Sequence, residues 1–316
     1  MVHYINVLVK ICLFLYLILL TSAVNLLDYE MTDKLVEIDK NDWVELRDLY
    51  RTAWPERNII SYYILDNFIG WVKQEPNFKH LHVYSLNGDW SDGTFIVIHR
   101  NKMFIDTLSS STERMFKLLQ LVDYRHGISF SMISSDSLRE VVLRTVDNES
   151  LNINKTARWL SFYMPREVAT NLDFHIPDDV TLRPLDDSDC EVVNNALTYK
   201  SNGTLQLLKI QRRLNPSVGM FTTEGKLIAW SFQTQTGSIG ALYVHPDYRR
   251  QGYGSLVVKA LSKIIGERGD HVLAFVEELN MPARKLFEKC GFTIVGTIHR
   301  IVTSPIFPFE WIDVFD

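Results

Sequence analysis

Apolar and polar positions change period along this chain, and the changes come twice in one order. Val180 to Leu185 alternates at period two, as a half-buried strand does. Asp186–Ala196 and Thr204–Arg213 then place apolar residues at helical spacing. Ser217–Thr222, Leu227–Thr234 and Ile239–Val244 read as strands, parted by turn signals at Glu224-Gly225 and Thr236-Gly237. Gly254 to Ile265 predicts a helix with Val257, Ala260, Leu261 and Ile264 on one face. A strand over His271–Val276 precedes a helix from Asn280, whose Ala283, Leu286, Phe287 and Cys290 share a face. Gly291 suits its left-handed terminator, and a last strand runs from Phe292 to Ile301.

The first half predicts the same β-α-α-β-β-β-α-β-α-β order. Its strands are Lys34–Ile38, Leu81–Leu86, Phe95–His99, Met103–Thr107, Ile128–Ile133 and Trp159–Tyr163. Its helices are Asn41–Ala53, Ile59–Val72, Thr112–Val122 and Ser137–Thr145. The fold class is α/β, with one unit duplicated around a mixed central sheet flanked by helices. The expected domains are residues 31–170 and 171–316, joined by a polar linker around Arg166 to Asp179. Trp43, Trp54, Trp71, Tyr62 and Tyr63 sit at helical spacing and read as core.

Residues 1–30 stand apart. Tyr4 to Leu20 is almost continuously apolar, and Thr21-Ser22-Ala23 gives small residues for a cut after Ala23, as in a secretory signal peptide. An uncleaved anchor is the other membrane reading, although Lys10 interrupts the run, which falls slightly short of the ~20 residues that span a bilayer. A translational start near Met31 is the third, and would leave a mitochondrial or cytoplasmic protein. Membrane contact is expected only through residues 4–20. Asn148, Asn154 and Asn202 head glycosylation sequons, which matter only in the secretory pathway.

Composition removes several classes. Lys plus Arg is 33 against Asp plus Glu 38, a net charge of −5. That is the wrong sign for general nucleic-acid binding. Cys12, Cys190 and Cys290 have no CxxC spacing, and the nine histidines show no HxxH or HExxH spacing, so no metal site is predicted.

The chemistry concentrates between Ile239 and Gly254. A strand ends at Val244, Pro246 closes it, and Arg249-x-x-Gly252-x-Gly254 opens a helix. Backbone N–H groups in such a loop converge, and the helix dipole adds partial positive charge. Arg249 and Arg250 add full charges. The spacing fits neither a Walker loop nor a dinucleotide fingerprint. It reads as a cradle for a pyrophosphate.

This segment resembles motif A of the GCN5-related N-acetyltransferase (GNAT) superfamily, which binds acyl-coenzyme A. Asn280-Met-Pro-Ala-Arg-Lys-Leu-Phe-Glu-Lys-Cys-Gly-Phe292 is similar to the same superfamily's N-x-x-A-x-x-x-[YF]-x-x-x-G-F ending. Asn215-Pro-Ser-Val-Gly219 and Leu227-Ile-Ala-Trp-Ser-Phe-Gln-Thr-Gln-Thr-Gly237 look like glycine N-acyltransferase-like proteins with a C-terminal FR47-like domain after a diverged first one. The resemblance implies tandem GNAT-like folds and acyl-coenzyme A as co-substrate. It implies that the backbone of Leu242, Tyr243 and Val244 pairs with the pantetheine arm. The amides of Arg249, Arg250, Gln251, Gly252, Tyr253 and Gly254 would take the pyrophosphate. Asn280 would lie near the thioester or simply cap its helix.

The implied reaction is acyl transfer to the amine of a small acceptor such as glycine, by direct attack in a ternary complex. The two carboxylates expected of such enzymes are replaced by Ala241 and Ser238. Glu277 and then His245 remain as candidate bases, with Glu278 beside them. Phe287 stands where many relatives carry a Tyr that protonates the leaving thiolate, and reads as core. Two alternatives stay open: an acyl-coenzyme A-binding module with weakened catalysis, and a protein N-acetyltransferase. The corresponding first-half loop, Leu108 to Thr112, has neither Gly nor Arg, so no second coenzyme site is expected there. Ser111 or Thr112 beside Arg114 is an anion site or a plain N-cap.

Overall fold

A computed structural model describes residues 32–52, 54, 58–198, 200 and 203–306, and its elements lie in one compact unit that begins at Leu35. The apolar N-terminal segment, Cys12, Asn202 and the tail beyond Ile306 lie outside the described residues. No described helix is long and apolar enough to cross a membrane.

The first half runs β1 (Leu35–Glu37), α1 (Trp43–Leu49), α2 (Ile59–Gln74), β2 (Leu81–Leu86), β3 (Phe95–His99), β4 (Lys102–Asp106), α3 (Glu113–Leu119), β5 (Ser129–Ile133), α4 (Asp136–Asn148) and β6 (Ile153–Met164). After a short helix α5 (Arg166–Thr170), the order repeats. β7 (Val180–Arg183), α6 (Asp187–Ala196), α7 (Thr204–Leu214), β8 (Ser217–Thr222), β9 (Leu227–Gln233) and β10 (Ile239–Val244) come first. α8 (Tyr253–Glu267), β11 (Val272–Glu277), α9 (Met281–Lys289) and β12 (Thr293–Thr303) complete it.

The predicted α/β class, mixed sheet and doubled element order are all present. The linker differs from expectation. Arg166–Thr170 is helical and packs so closely on α8 that a Cβ at Gly266 would lie 2.9 Å from that of Ala169. β6 is longer than its apolar stretch, because the exposed residues at its start still pair with β12.

All twelve strands form one sheet in the order β1-β2-β3-β4-β5-β12-β6-β11-β10-β9-β8-β7. Each half gives its sixth strand to the other. β12 pairs antiparallel with β5, at His299↔Ile133 and Ile301↔Phe130. β6 pairs antiparallel with β11 through six residues, Val272↔Met164 to Glu277↔Trp159. The exchanged strands also pair with each other, from Thr293↔Tyr163 to Thr303↔Ile153.

Alternation of side chains along the strands divides the core. In the first half Ile96, Met103 and Phe130 face Met115, Leu118 and Val142 of α3 and α4. On the other side Val83, Val97 and Phe104 face Trp43, Phe68 and Trp71 of α1 and α2, joined there by Ile210 and Leu214 of α7. Trp71 Nε1 donates to Asn215 Oδ1 at 2.7 Å, and Asn215 Nδ2 donates to the carbonyls of Gln233 and Thr234. One buried amide thus fastens α2 to the turn after β9.

The exchange sets an expectation for truncation. Residues 171–316 alone lack β6, which leaves the facing edges of β11 and β12 unpaired. This fragment should be insoluble or unfold without cooperativity, whereas residues 32–306 should unfold in one sharp transition by circular dichroism. Cooperative unfolding of the fragment would overturn the expectation.

Candidate active site

β10 turns the sheet open. On one edge it pairs with β9, but the register shifts between Gly240 and Tyr243, and Ala241 takes φ +51°. Gly240 is required at this bulge, since a Cβ there would lie 2.5 Å from Thr234 Cγ2. On the other edge the parallel pairing to β11 is registered only at Ile239↔Ala274. Beyond that pair the two strands part. The β11-facing edge of Leu242, Tyr243 and Val244 is left without a strand partner, an extended edge open to an extended ligand.

The loop after β10 supplies the cradle. The His245 amide still donates to the Ile228 carbonyl at 2.8 Å. A 3-10 turn over Pro246–Tyr248 follows. Arg249 Nε then donates to the Val244 carbonyl at 3.0 Å, which folds the loop back on the strand end. Arg250 (φ +66°) and Gly252 (φ +86°) are left-handed. Gly252 is the N-cap of α8 and has no side chain to cap it. The first-turn amides of that helix, from Tyr253 onward, therefore have no intrahelical acceptor. Gly254 lets α8 approach β10 and α9, since a Cβ there would lie 2.9 Å from Leu286 Cδ1 and 3.4 Å from Val244 Cγ2. Arg249, Arg250, Gln251 and Gly252 are exposed, while Tyr253 and Gly254 are buried. Uncapped amides, a helix N-terminus and two arginines together suit a pyrophosphate.

The first half shows what happens without that sequence. β4 and β5 are parallel and registered as far as Phe104↔Ser131. The helix that follows, α3, has only seven residues and Glu113 in its first turn. Arg114 is held by Asp89 at 2.6 Å and Asp92 at 3.2 Å. Thr112 makes no side-chain cap, and the Ser111 hydroxyl accepts weakly from the Glu113 amide at 3.4 Å. The Ser111 contact is a weak form of the predicted cap, and Arg114 is already paired with two carboxylates.

A cavity of about 330 Å³ lies where β10 and β11 part. Ile239, Gly240 and Ala241 of β10, Phe275 of β11 and residues of α7 line it. So do Trp159, Lys102 and Arg300 from β6, β4 and β12. Burial and the neighbouring Arg300 and Arg100 guanidinium groups hold the Lys102 ammonium down to about 8. Burial also lowers the pKa of Arg300, whose Nε donates to Ser129 Oγ at 3.0 Å. Trp159 Nε1 is buried without a partner. No carboxylate lines the cavity among the described residues, and its walls carry two cations.

Comparison with known proteins settles the architecture. Residues 217–301 match the family model described as FR47-like protein. The X-ray structure of a Drosophila protein superposes with a TM-score of 0.81 at 22% identity, covering 87% of this chain and 99% of that one. A tandem GNAT protein from the clavulanic acid biosynthesis pathway superposes at 0.51 and 14% identity, over 88% of this chain and 100% of its own. The fold is a GNAT fold, doubled. A curated mycothiol acetyltransferase from Acidothermus cellulolyticus is 29% identical over 39% of this chain and 47% of its own length. The chain spans about half the length of that relative.

Within the GNAT fold the predicted site residues separate into groups. Leu242 to Val244 form the open strand edge, and Arg249 to Gly254 form the loop that leads from it into α8. Glu277, the last residue of β11, is exposed and lines none of the cavities described here. Glu278 is taken by Arg158 at 3.0 Å. His245 follows β10 half-buried, with Nδ1 at 3.5 Å from the Asp247 carboxylate. Phe287 is core, against Phe162 and Phe292. Cys290 is buried, and its thiol is pushed up by desolvation. Among the described residues no cluster of His, Cys, Asp or Glu is placed to hold a metal. Sequence reasoning missed Lys102, Arg300 and Trp159, which belong to no motif.

Asn280 caps α9, its Oδ1 accepting from the Ala283 amide at 3.2 Å. Asn280→Ala should cost about 1 kcal/mol of stability, and Asn280→Ser should restore most of it. Thermal unfolding measures this. A changed affinity for acetyl-coenzyme A in Asn280→Ser, with stability intact, would show a ligand contact beyond the cap.

Proposed function

We propose that this protein transfers an acyl group from acyl-coenzyme A to the amine of a small acceptor that also carries a carboxylate. Glycine is the smallest such molecule. The observation that carries the reading is the open β10 edge, with a pyrophosphate cradle at its end and a cationic cavity at its start. The relatives above, a mycothiol acetyltransferase and a tandem GNAT protein, agree with acetyl transfer.

In this reading the pantetheine arm lies along Leu242 to Val244, and the amides of Arg249 to Gly254 bind the pyrophosphate. Lys102, Arg300 and Trp159 Nε1 hold the acceptor's carboxylate, through charge-assisted hydrogen bonds. The acceptor amine then attacks the thioester carbonyl. A C–N bond forms, a strand amide of β10 donates to the developing oxyanion, and the coenzyme thiolate leaves. The ammonium proton departs through water towards Glu277 and His245, which end or follow the two strands that flank the gap. Coenzyme supply favours the mitochondrial matrix or the cytosol over the secretory pathway for this reaction. The acid-free cavity favours, as a second reading, a binding module that holds the thioester without turning it over.

Calorimetric titration with acetyl-coenzyme A tests the cradle. Gly252→Glu should abolish saturable binding. Gly252→Ala should retain it, at a stability cost of about 1–2 kcal/mol for a left-handed Ala. No binding to the unaltered chain would overturn the reading, and binding without turnover of any amine would favour the module.

Acceptor choice tests the cavity. Glycine should be preferred to ethylamine, and Lys102→Met should raise KM for glycine by about tenfold, the worth of one charge-assisted hydrogen bond. KM for ethylamine should not move. Lys102 carries its charge below about 8 and loses it above. Glycine affinity should therefore weaken as pH rises through that value, and Lys102→Arg should remove this dependence. Equal use of both amines would sink the carboxylate clamp.

A further inference from the structure

The first half holds a larger cavity, about 630 Å³, at the place where β4 and β5 part. Its walls come from the start of α2, the ends of β4 and β5, β6 and the bulged part of β12. Among the described residues no Lys, Arg or His lines it. The one ionisable group among its described lining residues is Asp106, 6% exposed, in a wall otherwise rich in hydroxyls. The Asp106 carboxylate accepts from the Ser61 hydroxyl, from the Thr107 amide at 2.8 Å and from Ser134 Oγ at 3.3 Å. Burial pushes this carboxyl up to about 6, so it remains ionised at neutral pH. Ser161 is 1% exposed, lines the same cavity, and its Oγ has no hydrogen-bond partner.

These features select a ligand by charge. An anion would face an uncompensated buried carboxylate. A neutral ligand would leave the charge unpaired. A cation would pair with it in surroundings of low dielectric. The hydroxyl-rich wall and the free Ser161 hydroxyl call for hydrogen-bonding groups on the rest of the ligand.

We propose that the first-half cavity is a second ligand site for a small hydroxylated amine, with its ammonium at Asp106 and a hydroxyl at Ser161. The site is separate from the cradle and the cationic cavity of the second half. It does not depend on the acyl-transfer reading.

The test uses the full chain and serinol (2-amino-1,3-propanediol), with glycerol as its uncharged counterpart and glycerate as its anionic one. Serinol should bind saturably by calorimetry. Glycerol should bind about tenfold more weakly or worse, the worth of one charge-assisted pair, and glycerate should not bind. Asp106→Asn should reduce serinol to the glycerol level. Ser161→Ala removes a hydroxyl that nothing in the fold uses, so it should fold normally and still weaken serinol several-fold. Gly252→Glu should leave serinol binding intact. Serinol binding no tighter than glycerol overturns the proposal. So does a wild-type affinity in Ser161→Ala, or serinol binding lost in Gly252→Glu.

Discussion

Every part of this molecule leans on the exchange of β6 and β12. A GNAT-type half with five of its own strands would end at β5 or β11 with an open edge, and each half closes that edge with a strand from the other. The register of ten residue pairs between β6 and β12 then fixes how the halves meet. No flexible hinge separates them, because the sheet's hydrogen bonds run straight through the junction. Smaller contacts follow the same line. The His271 amide at the start of β11 donates to the Tyr63 hydroxyl on α2 at 2.7 Å, and Trp71 of α2 meets Asn215. These contacts are buried and satisfied, so separating the halves would strand their polar groups.

The exchange also decides what surrounds each cleft. In both halves a parallel strand pair opens near its C-terminal end, which makes a cavity. The second-half cavity receives Lys102 and Arg300 through β4 and β12, and Trp159 through β6. The first-half cavity receives Ser161 through β6 and Gly296 through β12, beside its own Asp106. The two halves have similar openings with different charged groups in their walls. One carries Lys102 and Arg300 and lies beside the proposed pyrophosphate cradle. The other has Asp106 as its one ionisable group among the described residues and lies beside a short, acid-fronted helix.

The cradle itself depends on little beyond local sequence. Gly252 supplies a left-handed N-cap, Gly254 lets the helix approach the strand, and Pro246 stops β10. Bulging at Ala241 frees the strand edge, and Gly240 gives that bulge room against Thr234. These are backbone requirements, and each is met by a residue type whose conformational range allows it.

Much of the fold was therefore legible from the chain. Strands such as Leu81–Leu86, Phe95–His99, Ser217–Thr222 and Ile239–Val244 show in hydrophobic period and turn residues, because those report burial of a local face. The doubled order of elements follows from the same pattern, and the R-x-x-G-x-G cradle follows from local stereochemistry. The polar start of β6 did not show, since its residues are paired but exposed. The identity of the strand lying beside β5 or β11 also did not show. Both candidates have the same period, and pairing between residues more than a hundred positions apart leaves no local mark. For that reason Arg300, Trp159, Asp106 and Ser161 read as ordinary strand positions in the sequence, and Lys102 as the residue before a strand. Only the tertiary structure brings them to the two cavities, because charge and hydrogen bonding act through space, whereas a sequence pattern records only neighbours along the chain.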